Sequence, residues 1–297
     1  MDLQPKSFLG ALRPFSFVVI ILSVGLALVW VADQQGWSWQ MLWVWLAAAL
    51  IQAGVNLIND YGDRQQLGLL PDSPARQRKL ASVRQHLYAG GVALLLAVLL
   101  GLYLAWYSGW SLLWLGALGL LGCWGYTQEP INYKRRGWGA VLAGLMMGSL
   151  MSWGSVKALT GQWQAGVWWW SAPLALLIGW LLLANEIRDL EQDRQRHLYT
   201  LSVRLGLVRA RRWYLGLPWL VVMLMLLLLL LLGSLPLWGW LLAAAWLGGN
   251  VYWHQHQSRI WLMAAPGQRQ GLMPLSGRLL ALLGGSYLLI LLNIELN

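Results

Sequence analysis

LLANEIRDLEQDRQRHLYTLSVRLG, residues 182–206, decides how the rest of the chain is read. It opens as the tail of an apolar run and, within one helical turn, becomes Asn185, Glu186, Arg188, Asp189, Glu191, Asp193, Arg194 and Arg196. Charge arrives where a hydrophobic span ends. Asp189 and Asp193 stand at i and i+4 with Asn185 one turn earlier, so on a helix the three share one face. Such a face presents hard oxygen donors suited to a divalent cation.

A second stretch answers it. In AGVNLINDYGDRQQ, residues 53–66, Asn56, Asn59, Asp60 and Asp63 fall at i, i+3, i+4 and i+7 and again share a helical face. Asn56 to Asp60 and Asn185 to Asp189 are both Asn-x-x-x-Asp, 129 positions apart. That offset hints at two related halves, about 1–137 and about 138–297, within a single membrane-embedded domain spanning residues 1–297.

The composition places these stretches in a membrane protein. Of 297 residues, 58% are hydrophobic and only 11% charged, against about 25% charged in soluble domains; the mean hydropathy is +0.54. The single cysteine, Cys123, excludes an internal disulfide and any multi-cysteine metal site. The 23 tryptophans include Trp37, Trp39, Trp110, Trp168, Trp169 and Trp170 beside loops, where amphipathic rings anchor at headgroup level. A net charge of +10 does not indicate nucleic acid, because the basic residues sit in short segments between apolar runs. Topology accounts for them.

Nine apolar runs are long enough to cross a core of about 30 Å, some marginally: residues 15–32, 41–58, 87–107, 110–127, 138–156, 167–184, 213–232, 235–252 and 279–294. The first follows Lys6 and Arg13 without a small-residue cleavage signal and is expected to stay as a span. Arginines and lysines cluster before run one and after runs two, four, six and eight, and Lys157 alone falls on the other side. By the positive-inside rule the N-terminus and these loops are cytoplasmic and the C-terminus lies outside. The expected fold is therefore an all-α integral membrane bundle of nine transmembrane helices, in the cell membrane, with two aspartate-rich cytoplasmic loops.

Of 11 acidic residues, seven (Asp60, Asp63, Asp72, Glu186, Asp189, Glu191, Asp193) lie in or beside the loops after runs two and six. A carboxylate at the hydrophobic boundary is costly, and a bound cation offsets that cost. Two acidic clusters among arginines on one membrane face suit a lipid diphosphate, with metal bridging carboxylates to phosphate oxygens. The plainer alternative, carboxylates that only solvate loops, explains one cluster better than two aligned ones. For most arginines between 64 and 84 and between 204 and 212, topology and headgroup attraction suffice. His86, His197, His254 and His256 are scattered, and an interfacial role is expected for them rather than metal binding. Tyr61, Tyr126 and Tyr133 are belt residues by default, although an aromatic face near the metal can stabilise an allylic cation.

At these residues the chain resembles the UbiA superfamily of intramembrane prenyltransferases, and within it the MenA branch, which prenylates 1,4-dihydroxy-2-naphthoate for menaquinone synthesis. The similarity is carried by Arg13-Pro14, by NLINDYGD at 56–63 with Pro71-Asp72, by YTQEPINYKRRGWG at 126–139, and by NEIRDLEQDR with TLSVRLG between Asn185 and Gly206. The resemblance implies a nine-helix bundle and Mg²⁺-dependent transfer of a polyprenyl group from its diphosphate to a small aromatic acceptor, which in MenA also loses CO₂. It further implies that Asn59, Asp60, Asp63, Asp189 and Asp193 handle Mg²⁺ and diphosphate, with the four aspartates as metal ligands. Asn56 and Asn185 would support them, and Tyr61 and Tyr126 would line the substrate site.

The chain departs from that pattern at Leu69 and Ala140, where the family often carries acids, and at His197-Leu198, where it carries Gly-Lys. Arg188, Arg194 or Arg204 would replace the missing lysine. A transporter would instead place ionisable groups near span midpoints; a CDP-alcohol phosphotransferase would carry DxxDGxxAR, which is absent. A diverged acceptor or an inactive paralogue are the remaining alternatives, and oligomeric state is not encoded in any visible pattern.

Overall fold

The protein is described by a computed structural model over residues 4–5, 7–59, 61, 67, 71–232 and 236–295. Asp60, Asp63, Arg64 and Leu69 lie outside the described residues. Within them the chain is helical, with no strand. A short helix, α1 (Phe8–Leu12), precedes α2 (Phe17–Gln35), α3 (Trp39–Asn59), α4 (Pro74–Ser108), α5 (Leu112–Thr127), α6 (Gly139–Thr160), α7 (Gly166–Gln195), α8 (Leu201–Leu232), α9 (Leu237–Met263) and α10 (Leu272–Glu295).

Seven of these, α2, α3, α4, α6, α7, α8 and α10, are long and apolar enough to cross a membrane; α5 is shorter, and α9 is long but more polar. The two longest that no glycine break interrupts, α4 and α7, overrun a bilayer most; α8, with 32 residues, is broken at Gly206. At 1.5 Å per residue, α7 with its 30 residues spans about 45 Å and α4 with its 35 residues about 53 Å, against a core of about 30 Å. The surplus is the charged end in each case. The acidic run after Ala184 therefore continues α7 as helix. The basic run expected as a loop is helical from Pro74, whose N-cap Ser73 accepts a bond from Arg76 N–H at 3.2 Å.

Close helix crossings bring the functional helices into register. α6 meets α7 through small residues: a side-chain carbon on Gly144 or Gly148 would lie 2.5 Å from the Ala175 backbone, so only glycine permits this approach. Here α6 widens into a π turn over Leu145–Leu150. α3 and α4 cross in the same way at Gly54 and Gly90. The main core lies among α7, α8, α9, α10 and part of α2, centred on Trp180, Tyr214 and Leu283.

One expectation changes once packing is seen, and one outlying lysine gains a structural role. His254 is not an interfacial residue but 1% exposed, and its Nε2 is 2.9 Å from the Tyr214 hydroxyl, which also bonds Ser276 at 2.7 Å. The Tyr214 ring stacks on Trp180, so this polar knot ties α8, α9 and α10 to α7. Lys157, which the sequence reading set on the side opposite the other basic residues, is 5% exposed. Its ammonium donates to Gly161 O at 2.5 Å and lies beside Gly109, at the carbonyl-rich ends of α6 and α4. It neutralises helix ends there.

Candidate active site

Three carboxylates occupy one face of the projecting end of α7. Glu186 and Asp193 are separated by about two turns and Asp189 lies between them, so all three fall within a narrow arc. Glu186 is 3% exposed and Asp193 6%. Burial at that level requires compensation, and the start of α8 supplies it. Ser202 N–H donates to Glu186 Oε2 at 3.0 Å, Ser202 Oγ donates to the Glu186 carbonyl at 2.9 Å, and Thr200 Oγ1 donates to Asp193 Oδ2 at 3.3 Å. Free amides at a helix N-terminus favour an anion. Gly206, at φ 71° and ψ 157°, breaks α8 after its first turn and lets that turn fold over the carboxylates.

Asp189 is held differently. Arg188 Nε donates to its Oδ1 at 2.7 Å and Nη2 to its Oδ2 at 2.6 Å, a bidentate pair in a half-buried setting. Asn185 is half-buried on the same face. Arg194 and Arg204 stand exposed at the rim, and Arg204 Nε donates to Tyr199 O at 2.9 Å.

The segment between α5 and α6 forms the opposite wall. Lys134 lies close enough to Glu186 and Asp193 to offset part of the cost of burying both carboxylates, and its ammonium sits 5.9 Å from the centre of the Tyr126 ring. Two glycines make this possible. At Gly137, with φ 82°, a side-chain carbon would lie 2.5 Å from Arg204 Cδ; at Gly139 it would lie 3.3 Å from Lys134 Cα and 3.4 Å from Glu186 Oε1. The Tyr133 hydroxyl donates to Gly122 O at 2.6 Å, and burial pushes its phenol well above the ordinary range. Tyr133 braces Tyr126, whose ring it meets edge-on at 5.4 Å.

The first stretch reaches this wall through the N-terminal segment. Asn56, 4% exposed, donates from Nδ2 to Leu12 O and Ser16 Oγ, both at 2.7 Å, and Gln52 joins the same hydroxyl at 2.9 Å. These bonds fix Arg13 at φ 51°, within electrostatic range of Tyr126, as are Glu186 and Asp193. Asn59 ends α3, and Tyr61 is half-buried just beyond it. Asp60 and Asp63 follow outside the described residues.

Lys134 and Glu186 were not among the residues the sequence singled out for the site. The Tyr-Lys-Arg-Arg-Gly segment carried a signal, since its glycine spacing marks a close approach, but nothing local says what it approaches. The departures acquire geometry as well. His197 follows the end of α7 in the left-handed conformation, φ 54°, where glycine is favoured. Leu198 N–H donates to Asp193 O at 2.9 Å. Ala140 is buried, and its carbonyl would lie 3.1 Å from a side-chain carbon on Gly179.

Whether these residues suit a divalent cation is decided by donor chemistry. Asp189 and Asp193 offer hard oxygens one turn apart, but among the described residues no group of three or more acidic, histidine or cysteine side chains is placed to hold an ion; Mg²⁺ would need further donors, as it takes when one or two carboxylates bind it with an anionic co-ligand.

Residues 18–268 match the UbiA prenyltransferase family. The 1,4-dihydroxy-2-naphthoate octaprenyltransferase of Escherichia coli (strain K12) is 31% identical over 262 residues, covering 82% of this chain and 80% of that protein. The protein of the same name from Mycobacterium leprae (strain TN) is 31% identical over 185 residues, 59% of this chain and 61% of its own length, so the match spans less than two thirds of that relative. Among solved structures, the apo structure of a UbiA homolog from Aeropyrum pernix K1 superposes with a TM-score of 0.65 at 16% identity, covering 94% of this chain and 98% of the other.

Proposed function

Because this chain belongs to the UbiA prenyltransferase family, and is thus a membrane prenyltransferase, we propose that it transfers a polyprenyl group from polyprenyl diphosphate to 1,4-dihydroxy-2-naphthoate with Mg²⁺ as cofactor. The reading is supported by one observation above the others: Glu186, Asp189 and Asp193 gather on one face of α7 opposite Lys134, with relatives named for that acceptor. The chain acts as one membrane domain of nine spans, with its N-terminus and site cytoplasmic.

Asp189 and Asp193 would hold the cation together with Asp60 and Asp63 of the first stretch, with Asn59 assisting. When bound, Mg²⁺ would supply positive charge to offset that developing on the diphosphate as the allylic C–O bond breaks. Asn185 donates to the diphosphate. Arg188 presents a guanidinium at its edge, and Lys134 supplies the ammonium that the family otherwise carries after the second motif. Arg194 and Arg204, exposed at the rim, draw the anion in. Tyr126 and Tyr61 turn aromatic faces toward the allylic carbon, where a cation is stabilised, and the ring carbon of the acceptor attacks it there. Asn56 orders the segment that carries Arg13. The isoprenoid tail lies between helices and reaches lipid.

Membranes containing the protein are to be incubated with labelled polyprenyl diphosphate and with naphthoate and benzoate acceptors together, and the products identified by mass spectrometry. Prenylated, decarboxylated naphthoate that disappears with EDTA is the expected result. Full turnover retained in both Asp63→Ala and Asp189→Ala would sink the reading, and a benzoate product alone would replace the acceptor.

A further inference from the structure

The helix that carries Asp189 and Asp193 has a second set of contacts on its far side. Glu191 is two positions from each aspartate of the front face, a rotation of about 200° along an α-helix, so its side chain points away from them, and the Ile187 carbonyl lies one turn before it. Both meet Arg269, from the segment between α9 and α10. Arg269 is 2% exposed; its Nη1 lies 2.9 Å from each Glu191 carboxylate oxygen and 3.2 Å from the Ile187 carbonyl. Arg211 of α8 brings another guanidinium within electrostatic range of the same carboxylate.

A buried arginine is costly to desolvate and is retained where its bonds fix something. Here they fix the part of α7 that has left the apolar core. Its front is held at Glu186 and Asp193 by the start of α8; its back is held by Arg269 from 78 positions away. Residues that orient metal-holding side chains from behind are as consequential as many direct contacts. Arg269 also lies one position past the region matched by the family.

We propose that Arg269 is a positioning residue: through Glu191 and the Ile187 carbonyl it clamps the back of α7, so that Asp189 and Asp193 meet the metal and diphosphate in a fixed geometry. The proposal rests on the function argued above. It predicts an effect on cation and diphosphate binding, because a helix end free to swing loses the alignment of two donors one turn apart.

The test uses the full chain in detergent or nanodiscs, with Arg269→Ala, Arg269→Lys, Glu191→Gln and, as reference, Asp189→Ala. Three quantities are measured: Mn²⁺ binding by electron paramagnetic resonance, the Mg²⁺ concentration for half-maximal turnover with KM for the diphosphate, and hydrogen exchange of the peptide covering 187–195. Arg269→Ala is expected to weaken Mn²⁺ binding and raise the Mg²⁺ requirement by about tenfold, and to speed exchange at 187–195. Arg269→Lys recovers part of both, and Glu191→Gln reproduces the same direction. If Arg269→Ala fails to fold, the lysine and glutamine variants carry the test. Unchanged Mn²⁺ binding and Mg²⁺ requirement in folded Arg269 and Glu191 variants overturn the clamp while leaving the function standing. Full turnover in Asp189→Ala removes the function on which the clamp depends.

Discussion

Asn56 and Asn185 occupy the same place in two copies of one spacing, yet Asn56 is buried and bonded to Leu12 and Ser16, whereas Asn185 is half-buried with no such tether to a described residue. A shared period places both on the polar face of a helix; what that face meets is decided by its neighbours. On α3 the N-terminal segment folds across the asparagine and uses it as a brace. On α7 the corresponding position is left facing the carboxylates and the Lys134 wall. One amide holds the chain together, and the other is available to a ligand.

The largest expected effect tests the second stretch. Asp189→Ala or Asp193→Ala should lower turnover by about 10²- to 10³-fold in protein that still behaves as folded on size exclusion, read by product formation from labelled diphosphate. Next comes the brace. Asn56→Ala removes the donor to Leu12 and Ser16 and should cost about 1–3 kcal/mol of stability, seen as a lower Tm in a fixed detergent. An unchanged Tm would mean that the two asparagines are equivalent after all.

The mirror substitution sharpens the contrast. Asn185→Ala should leave stability within about 0.5 kcal/mol and raise KM for the diphosphate about tenfold, the worth of one hydrogen bond to a charged group. The smallest effect concerns the end of α7. His197 occupies a left-handed position, so His197→Gly should relieve strain and raise stability by about 1 kcal/mol; a drop in Tm would show that the imidazole makes a compensating contact.

Much of the architecture was legible before any coordinates, because burying backbone in lipid forces helices and leaves long apolar runs in the sequence. The acidic face of the second stretch was legible for a related reason: an i, i+4 spacing is local geometry. The same local reading mistook residues 74–84 for loop, since charge masks a helix that continues beyond the membrane. His254 was expected at the interface, whereas it is buried in the core with its Nε2 bonded to the Tyr214 hydroxyl, 40 positions away. Glu186 was counted among the clustered acids and Lys134 within the segment after the fourth run, but neither was given a place in the site, because no spacing pattern ties them together; only their approach across Gly139 gives them a role.

The sequence by itself determined a membrane-embedded, helical chain and the α7 face on which Asp189 and Asp193 stand, since both follow from composition and from a repeat of a few residues. Tertiary structure decided which asparagine is a brace, which lysine faces the acids, and that an arginine 78 positions away holds the helix from behind. Those outcomes depend on partners brought together by packing, and the distance in sequence between such partners leaves no periodic trace.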